Sequence, residues 1–283
     1  MRVNASAEAF APASMGNVGV GFDILGLAFR EPGDTVRVVP RDEPGAVMLA
    51  IEGDGGVLPL ASEQNTASVA ASAFLKQIDA PCGVGIVLRK DLPLASGLGS
   101  SAASAVAAVV AANALFGEPV PRHDLLPACL EGEALVSGYH ADNVAPALLG
   151  GIVLVTGLSA REVTPLPVPS AMHLALVTPS ISVPTAEARA VLPQHIPLKT
   201  FVQQTGGVAR LIDALHRDDL AGVAHAMESD TIIEPARKHL IPHLDEVRAQ
   251  AKAAGALAVV ISGAGRPCAR FVLLWSQRSM SPM

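Results

Sequence analysis

Pro93-Leu94-Ala95-Ser96-Gly97-Leu98-Gly99-Ser100-Ser101-Ala102-Ala103-Ser104 is the stretch on which the reading of this chain turns. Just before it, Gly85-Ile86-Val87-Leu88 is a short apolar run with the character of a strand. Just after it, an Ala/Val-rich run to about Leu115 predicts a long helix. A strand therefore delivers the chain into a Gly/Ser loop that opens a helix. Glycine lets a backbone approach an anion closely and adopt positive φ. The first amides of the following helix have no internal partners, and its dipole favours negative charge there. The loop has the makings of a phosphate seat, with the hydroxyls of Ser100, Ser101 and Ser104 as further donors or metal ligands. A Gly/Ser turn that merely caps a helix satisfies the same local pattern.

Three better-known loops are excluded. No Gly-Lys-Ser/Thr follows, so this is not a Walker A loop, and the glycine spacing is not that of a dinucleotide fingerprint. The residue two beyond Ser101 is Ala103, not Gly, so it is not a nucleophile elbow.

The rest of the chain sets the frame. It has 283 residues, half of them hydrophobic and 16% charged, the balance of a folded protein with a sizeable core. Aromatics make up only 3%, so the core is built from Ala, Val, Leu and Ile. The net charge of −6, with no Lys/Arg cluster, argues against nucleic-acid binding and against a basic membrane-facing patch. The thiols Cys82, Cys129 and Cys268 are widely spaced, which indicates neither a disulfide framework nor a zinc site. The N-terminus has no signal-peptide pattern, and the reading is cytoplasmic.

Val36–Val39 and Val47–Ile51 read as strands, and residues 66–78, 122–137, 200–228 and 242–254 carry helical patterns. Pro165-Leu166-Pro167-Val168-Pro169 is the expected domain boundary, giving domains at 1–165 and 166–283.

With these pieces in hand, the loop is identified as the second motif of the GHMP kinases, Pro-x-x-x-Gly-Leu-Gly-Ser-Ser-Ala before a small-residue helix. Ala11-Pro12-Ala13-Ser14-Met15-Gly16-Asn17-Val18-Gly19-Val20-Gly21-Phe22-Asp23 resembles the family's first motif in its homoserine-kinase version. On composition alone this segment is a tight hairpin with Asn17 and Asp23 as turn residues. His140-Ala141-Asp142-Asn143-Val144-Ala145-Pro146 is similar to the most distinctive piece of that version.

The resemblance implies an α+β chain with a two-domain GHMP kinase-like fold. Its N-terminal part would be a ribosomal-protein-S5-like α/β domain that binds ATP, and its C-terminal part a ferredoxin-like α+β domain. It implies ATP and Mg²⁺ as cofactors and phosphorylation of L-homoserine to O-phospho-L-homoserine in threonine biosynthesis. The expected assembly is a homodimer, with no nucleic-acid or membrane partner. Another GHMP kinase, of mevalonate or sugar type, and a catalytically impaired nucleotide-binding relative stay open.

Carried over by motif, Asn65 and Pro93, Leu94, Ala95, Ser96, Gly97, Leu98, Gly99, Ser100, Ser101, Ala102 and Ala103 bind ATP. Asn17, Asp23, His140, Arg189 and Arg237 bind the amino acid. Asp23, Asn143 and Thr185 are catalytic. Glu133, with a hydroxyl from Ser100 or Ser101, holds Mg²⁺, and Glu131 is the competing carboxylate. Relatives with an Asp at the Asn143 position have a general base there, so Asn143 implies catalysis by orientation and charge. Thr185 and Arg189 lie one helical turn apart, on one face. Planar guanidinium groups at Arg189 and Arg237 suit a substrate carboxylate.

The resemblance fails near the end. The family's Gly-x-Gly-Pro-Thr loop is replaced by Gly263-Ala264-Gly265-Arg266-Pro267-Cys268. Loss of one C from codons such as CCG-ACC-TTG-C gives CGA-CCT-TGC, hence Arg-Pro-Cys, so a frameshift accounts for the tail at 266–283; ordinary divergence of a terminus is the bland alternative. Beyond a short apolar run at Phe271–Leu274 the tail shows no amphipathic period. On this reading the second domain's sheet loses cover and exposes an edge.

Overall fold

A computed structural model describes residues 3–94, 96–177, 185–262 and 270–276. Ala95 and the glycine segment 263–269 lie outside the described residues. The elements run β1 (Ala7–Val18), β2 (Gly21–Arg41), β3 (Ala46–Glu52), α1 (Thr66–Gln77), β4 (Gly83–Arg89), α2 (Ser100–Leu115), α3 (Leu126–Ala134), α4 (Ala141–Leu149), β5 (Ile152–Val155) and β6 (Val163–Leu166). Then come β7 (Met172–Val177), α5 (Thr185–Ala190), α6 (Leu198–His216), α7 (Leu220–Met227), α8 (Ile233–Arg237), α9 (Leu244–Ala253), β8 (Ala258–Ser262) and β9 (Arg270–Ser276).

The chain divides into two compact units, and Leu166 to the C-terminus belongs to the second. The second unit also takes Gly16–Leu25, the turn of the β1–β2 hairpin, and the short piece Ala95–Gly97. Mixed α and β structure runs through both.

The first unit is built on a sheet ordered β3-β4-β2-β5-β6, with β1 paired to β2. β2 and β4 are antiparallel from Thr35↔Arg89 to Arg41↔Gly83, while β3 joins β4 in parallel. The composition explains the helical layer. Helix α2 is almost wholly buried, with Ala102, Ala103 and every residue from Ala105 to Val109 fully inaccessible. Alanine is the best helix former and needs little room. Where α3 meets its neighbours, a Cβ on Gly132 would lie 2.5 Å from the Thr66 carbonyl oxygen and 2.9 Å from the Cβ atoms of Ala70 and Ala105. Helices can pack that closely only through small residues, so an aromatic-poor sequence makes its core by close approach of backbones.

In the second unit β9 lies between β7 and β8, antiparallel to both. Phe271 pairs with Val177 and with Ile261, and Leu274 with Leu174 and Ala258. Leu274 is fully buried, and Trp275 packs on a cluster of Ala188, Ile241, Leu244, Ala251, Ala256 and Val259. The tail does not leave the sheet without a last strand: residues 270–276 form the central strand of the described three-stranded sheet. A short apolar run of this kind carries no period from which its place in a sheet can be read. No described helix is long and apolar enough to cross a membrane.

Candidate active site

The Gly/Ser loop is held from behind. Gly97 and Gly99 have φ of 68° and 61°, and Gly99 is the residue from which α2 starts. A Cβ on Gly99 would stand 2.2 Å from Ser14 Oγ and 3.1 Å from Asn143 Oδ1, so glycine is required there both for conformation and for space. Ser14 N donates to the Leu98 carbonyl at 3.0 Å, and Ser14 Oγ donates to Asn143 Oδ1 at 3.3 Å. The loop, the first motif and the predicted catalytic Asn143 are thus in contact.

On the open side, the N–H groups of Gly97 through Ala102 donate to no described residue; the first internal bond is from Ala103 N to Gly99 O at 2.8 Å. These are free donors at the positive end of a 16-residue helix. Ser96 Oγ, in the same loop, is buried without a partner.

Beneath the loop lies a buried polar cluster that the sequence reading missed. Lys90 Nζ pairs with Asp34 and donates to Ser100 O at 3.0 Å, Ser100 Oγ at 2.6 Å and Ser104 Oγ at 2.9 Å. Ser104 Oγ in turn donates to Asp34 Oδ2 at 2.8 Å, and Leu92 N to Asp34 Oδ1 at 3.2 Å. Burial lowers the Lys90 pKa, opposed by Asp34. The available signal was a lysine at the end of an apolar strand that flows straight into the loop. The Ser100 hydroxyl, named above for Mg²⁺, accepts a hydrogen bond from this lysine. The hydroxyl beside Glu133 is that of Ser101.

Glu133 is buried on α3 and accepts from Ser137 Oγ at 2.7 Å through Oε1. Its Oε2 has no hydrogen-bond partner. Burial raises the carboxyl pKa, and Ser137, Ser101 and His140 offset this in part. Glu131, the rival carboxylate, accepts from the exposed Tyr139 hydroxyl at 3.1 and 3.2 Å. His140 precedes α4 as its N-cap residue.

A second cluster forms around the hairpin turn. Asn17 and Asp23 both sit in the left-handed region, at φ 63° and 58°, and Asn17 Oδ1 accepts from Asp23 N at 2.7 Å. The turn reading of these residues holds: the bond fixes the Asp23 backbone within the turn. Arg189 grips the Asp23 carboxylate in bidentate fashion, with Nη1 and Nη2 each 3.3 Å from one oxygen. Arg237 is buried, and its Nε donates to the Ala188 carbonyl at 2.9 Å. Its terminal nitrogens make no hydrogen bond to any described residue. Burial lowers the Arg237 pKa most, and the like charge of Arg189 adds to this, against Asp23 and Asp230. Thr185 opens α5; its side chain lies outside the described residues.

Comparison with known proteins fits this geometry. "GHMP kinases N terminal domain" matches residues 65–151 and "GHMP kinases C terminal" matches 211–269. The homoserine kinase of Chloroherpeton thalassium is 43% identical over 267 residues, covering 90% of this chain and 83% of the relative. That of Xylella fastidiosa is 42% identical over 260 residues, covering 92% and 80%. The crystal structure of homoserine kinase from Cytophaga hutchinsonii superposes with a TM-score of 0.89 at 42% identity, covering 99% of this chain and 88% of that one. The chain belongs to the homoserine kinases of the GHMP kinase family.

As a member of that family it is an ATP-dependent kinase that transfers phosphate to a hydroxyl. L. major mevalonate kinase, solved in complex with R-mevalonate, superposes with a TM-score of 0.73 at 19% identity, a likeness of fold alone. For a homoserine kinase, the loop supplies backbone donors, and the hairpin cluster supplies two guanidinium groups and one carboxylate. Asn65 has a structural task as well. It is the N-cap of α1, accepting from Ala67 N at 3.0 Å and donating through Nδ2 to Pro59 O at 3.1 Å. Of the loop residues, Leu98, Ala102 and Ala103 are buried and Pro93 is exposed, so the loop would act through its backbone.

Proposed function

We propose that the chain transfers the γ-phosphate of ATP to the side-chain hydroxyl of L-homoserine, giving O-phospho-L-homoserine for threonine biosynthesis. The observation that carries the substrate is Arg237: a buried guanidinium whose terminal nitrogens lack a partner among the described residues, next to a second guanidinium already paired with Asp23. A guanidinium on a largely buried side chain, with its terminal nitrogens not hydrogen-bonded to described residues, is suited to receive a carboxylate. A zwitterion answers both needs. Its carboxylate would meet Arg237 and Arg189, and its ammonium would meet the Asp23 carboxylate as Arg189 turns to the new anion. Asn17 holds Asp23 in place. His140 completes the substrate set, and Thr185 is assigned with Asp23 and Asn143 to the catalytic group.

On the nucleotide, the free amides of 97–102 and the start of α2 take the triphosphate. Asn143 orients the attacking hydroxyl. Its amide is no base, which suits a loose phosphoryl-transfer transition state governed by positioning and charge. The described residues hold no group of three or more His, Cys, Asp and Glu able to cage a metal. Magnesium needs none, since it binds through one or two carboxylates plus phosphate oxygens and water. The orphaned, buried Oε2 of Glu133 fits that demand, with Ser101 as its neighbouring hydroxyl. Bound there, the ion would neutralise charge on the β- and γ-phosphates. A cytoplasmic homodimer is the setting this reading expects, on the resemblance alone.

ADP release with Mg²⁺-ATP and a panel of L-homoserine, mevalonate and galactose tests the reading. Turnover with homoserine alone is expected. Turnover with mevalonate or galactose instead, or ATP binding without any turnover, would overturn it.

A further inference from the structure

Arg189 and Arg237 carry like charges in one small cluster; for Arg237 the repulsion from Arg189 is second only to burial among the causes that lower its pKa. Both guanidinium groups lie against the ring of Phe22. The Arg237 Cζ lies 4.9 Å from the centroid of the Phe22 ring, and the Arg189 Cζ lies 5.8 Å from it. Both distances are within the range where an aromatic face attracts a cation. Asp23 pairs directly with Arg189 and acts on Arg237 at longer range. Arg237 has no carboxylate within hydrogen-bond reach among the described residues; Asp23 and Asp230 act on it only at longer range, and the Phe22 ring lies directly against its guanidinium.

Phe22 is fixed on both sides along the chain. Gly21 is buried, with no room for a Cβ, which would lie 2.4 Å from the Leu25 side chain, and the Asp23 backbone N–H is bonded to Asn17. The ring is therefore presented at a set place by the same hairpin turn that presents the Asp23 carboxylate.

We propose that Phe22 is a positioning residue for the acceptor substrate. Its ring holds the two guanidinium groups against their mutual repulsion, so that the seat for an α-carboxylate exists before the substrate arrives. This rests on the carboxylate role given to Arg237 and Arg189, and deepens it. Preorganisation of this kind acts on binding: without the ring, the substrate must also gather two repelling cations. The ring contacts the two guanidinium groups assigned to the acceptor, so the effect is expected on that substrate's KM.

The test is steady-state kinetics of Phe22→Leu and Phe22→Tyr with both substrates varied. Phe22→Leu keeps apolar bulk and removes the π face. It is expected to raise KM for homoserine about tenfold, the size of two exposed-to-half-buried cation–π contacts, with KM for ATP within about twofold of the parent. Phe22→Tyr keeps the face and is expected to restore homoserine KM to within about twofold. A merely structural role would shift both KM values, or would fail to distinguish Leu from Tyr; either result overturns the inference. An unchanged homoserine KM in Phe22→Leu overturns it too. Arg237→Ala, run alongside, separates the two levels. If it leaves homoserine KM unchanged, the carboxylate reading itself falls. If it raises that KM while Phe22→Leu does not, only the role of the ring falls.

Discussion

The Gly/Ser loop and the hairpin cluster would bind their two anions by opposite means. The loop offers main-chain N–H groups and a helix dipole, and its one nearby ammonium, Lys90, is spent on Asp34 and on the serines beneath it. The hairpin cluster offers full side-chain charges on Arg189 and Arg237, held by an aromatic ring and a single carboxylate. Backbone donors are fixed by the fold and cost no side-chain entropy to arrange. They suit a large, highly charged group common to many kinases. Side-chain charges are chosen one at a time and can encode a particular substrate. Damage to the first region should therefore act through conformation, and damage to the second through lost charge.

The sharpest way to break the comparison is Gly99→Ala. Position 99 demands a left-handed residue, which costs an L-residue about 1–2 kcal/mol, and the new Cβ would collide with Ser14 Oγ. The loop must shift, and a misplacement of about 1 Å at a phosphoryl-transfer site costs about 100-fold. A drop of about 100-fold or more in kcat/KM for ATP is expected. Near-parental kinetics would show that the loop geometry is not what binds the nucleotide.

Next in size, Arg237→Ala removes a charge-assisted contact of about 2–3 kcal/mol, so KM for homoserine should rise about 50-fold. KM for ATP should stay within about twofold. Equal effects on both substrates would erase the division of labour between the two regions.

The two regions also differed in how far the sequence revealed them. The loop was legible because its function lies in consecutive residues: glycines, a proline and serines at fixed spacing before a helix. Arg189 and Arg237 were found only through resemblance, for nothing local marks an arginine that will be buried beside another. Phe22 and the Lys90–Asp34 pair were missed altogether. Their roles depend on residues 167 or more positions away in the first case (Arg189) and 56 in the second, distances at which periodicity is silent. Ser100 and Ser101 show the same limit at one residue's range, since the sequence treats them alike, while the start of α2 turns one toward Lys90 and leaves the other beside Glu133. The tail strand was hidden for another reason. A short apolar run such as 270–276 does not announce its partners, and only pairing with β7 and β8 identifies it as central.

Glu133 sharpens the comparison further, because it is a side-chain charge in the backbone-dominated region. Burial raises its pKa, so the folded protein favours the protonated acid. A carboxyl raised in the folded state contributes stability below its unfolded pKa, near 4.5, and that contribution is lost as pH rises through the folded value. The ligand-free protein should thus lose stability over that interval, and Glu133→Gln should flatten the loss in urea melts taken at successive pH values. The same variant should weaken Mg²⁺-dependent ATP binding about tenfold, measured by titrating the metal at fixed nucleotide. A variant with parental Mg²⁺ dependence would move the metal role to Glu131 or elsewhere.

The smallest effect is the most discriminating. Asn65 was assigned to the nucleotide by resemblance, yet both ends of its amide are engaged within the protein, one capping α1 and the other bonded to Pro59. Loss of an N-cap costs about 1 kcal/mol, so Asn65→Ala should lower Tm by a few degrees, about 2–4 °C for a protein of this size. Asn65→Asp keeps the capping acceptor while losing the donor to Pro59, and should recover most of that stability. If Asn65 serves ATP only by fixing the start of α1, KM for ATP should follow stability across the two variants, changed in Ala and largely restored in Asp. A direct contact through the Nδ2 donor predicts the reverse pattern, with Asp stable yet poor in ATP binding. The two variants together thus decide whether this residue belongs with the backbone-borne half of the site or adds a side-chain ligand to it.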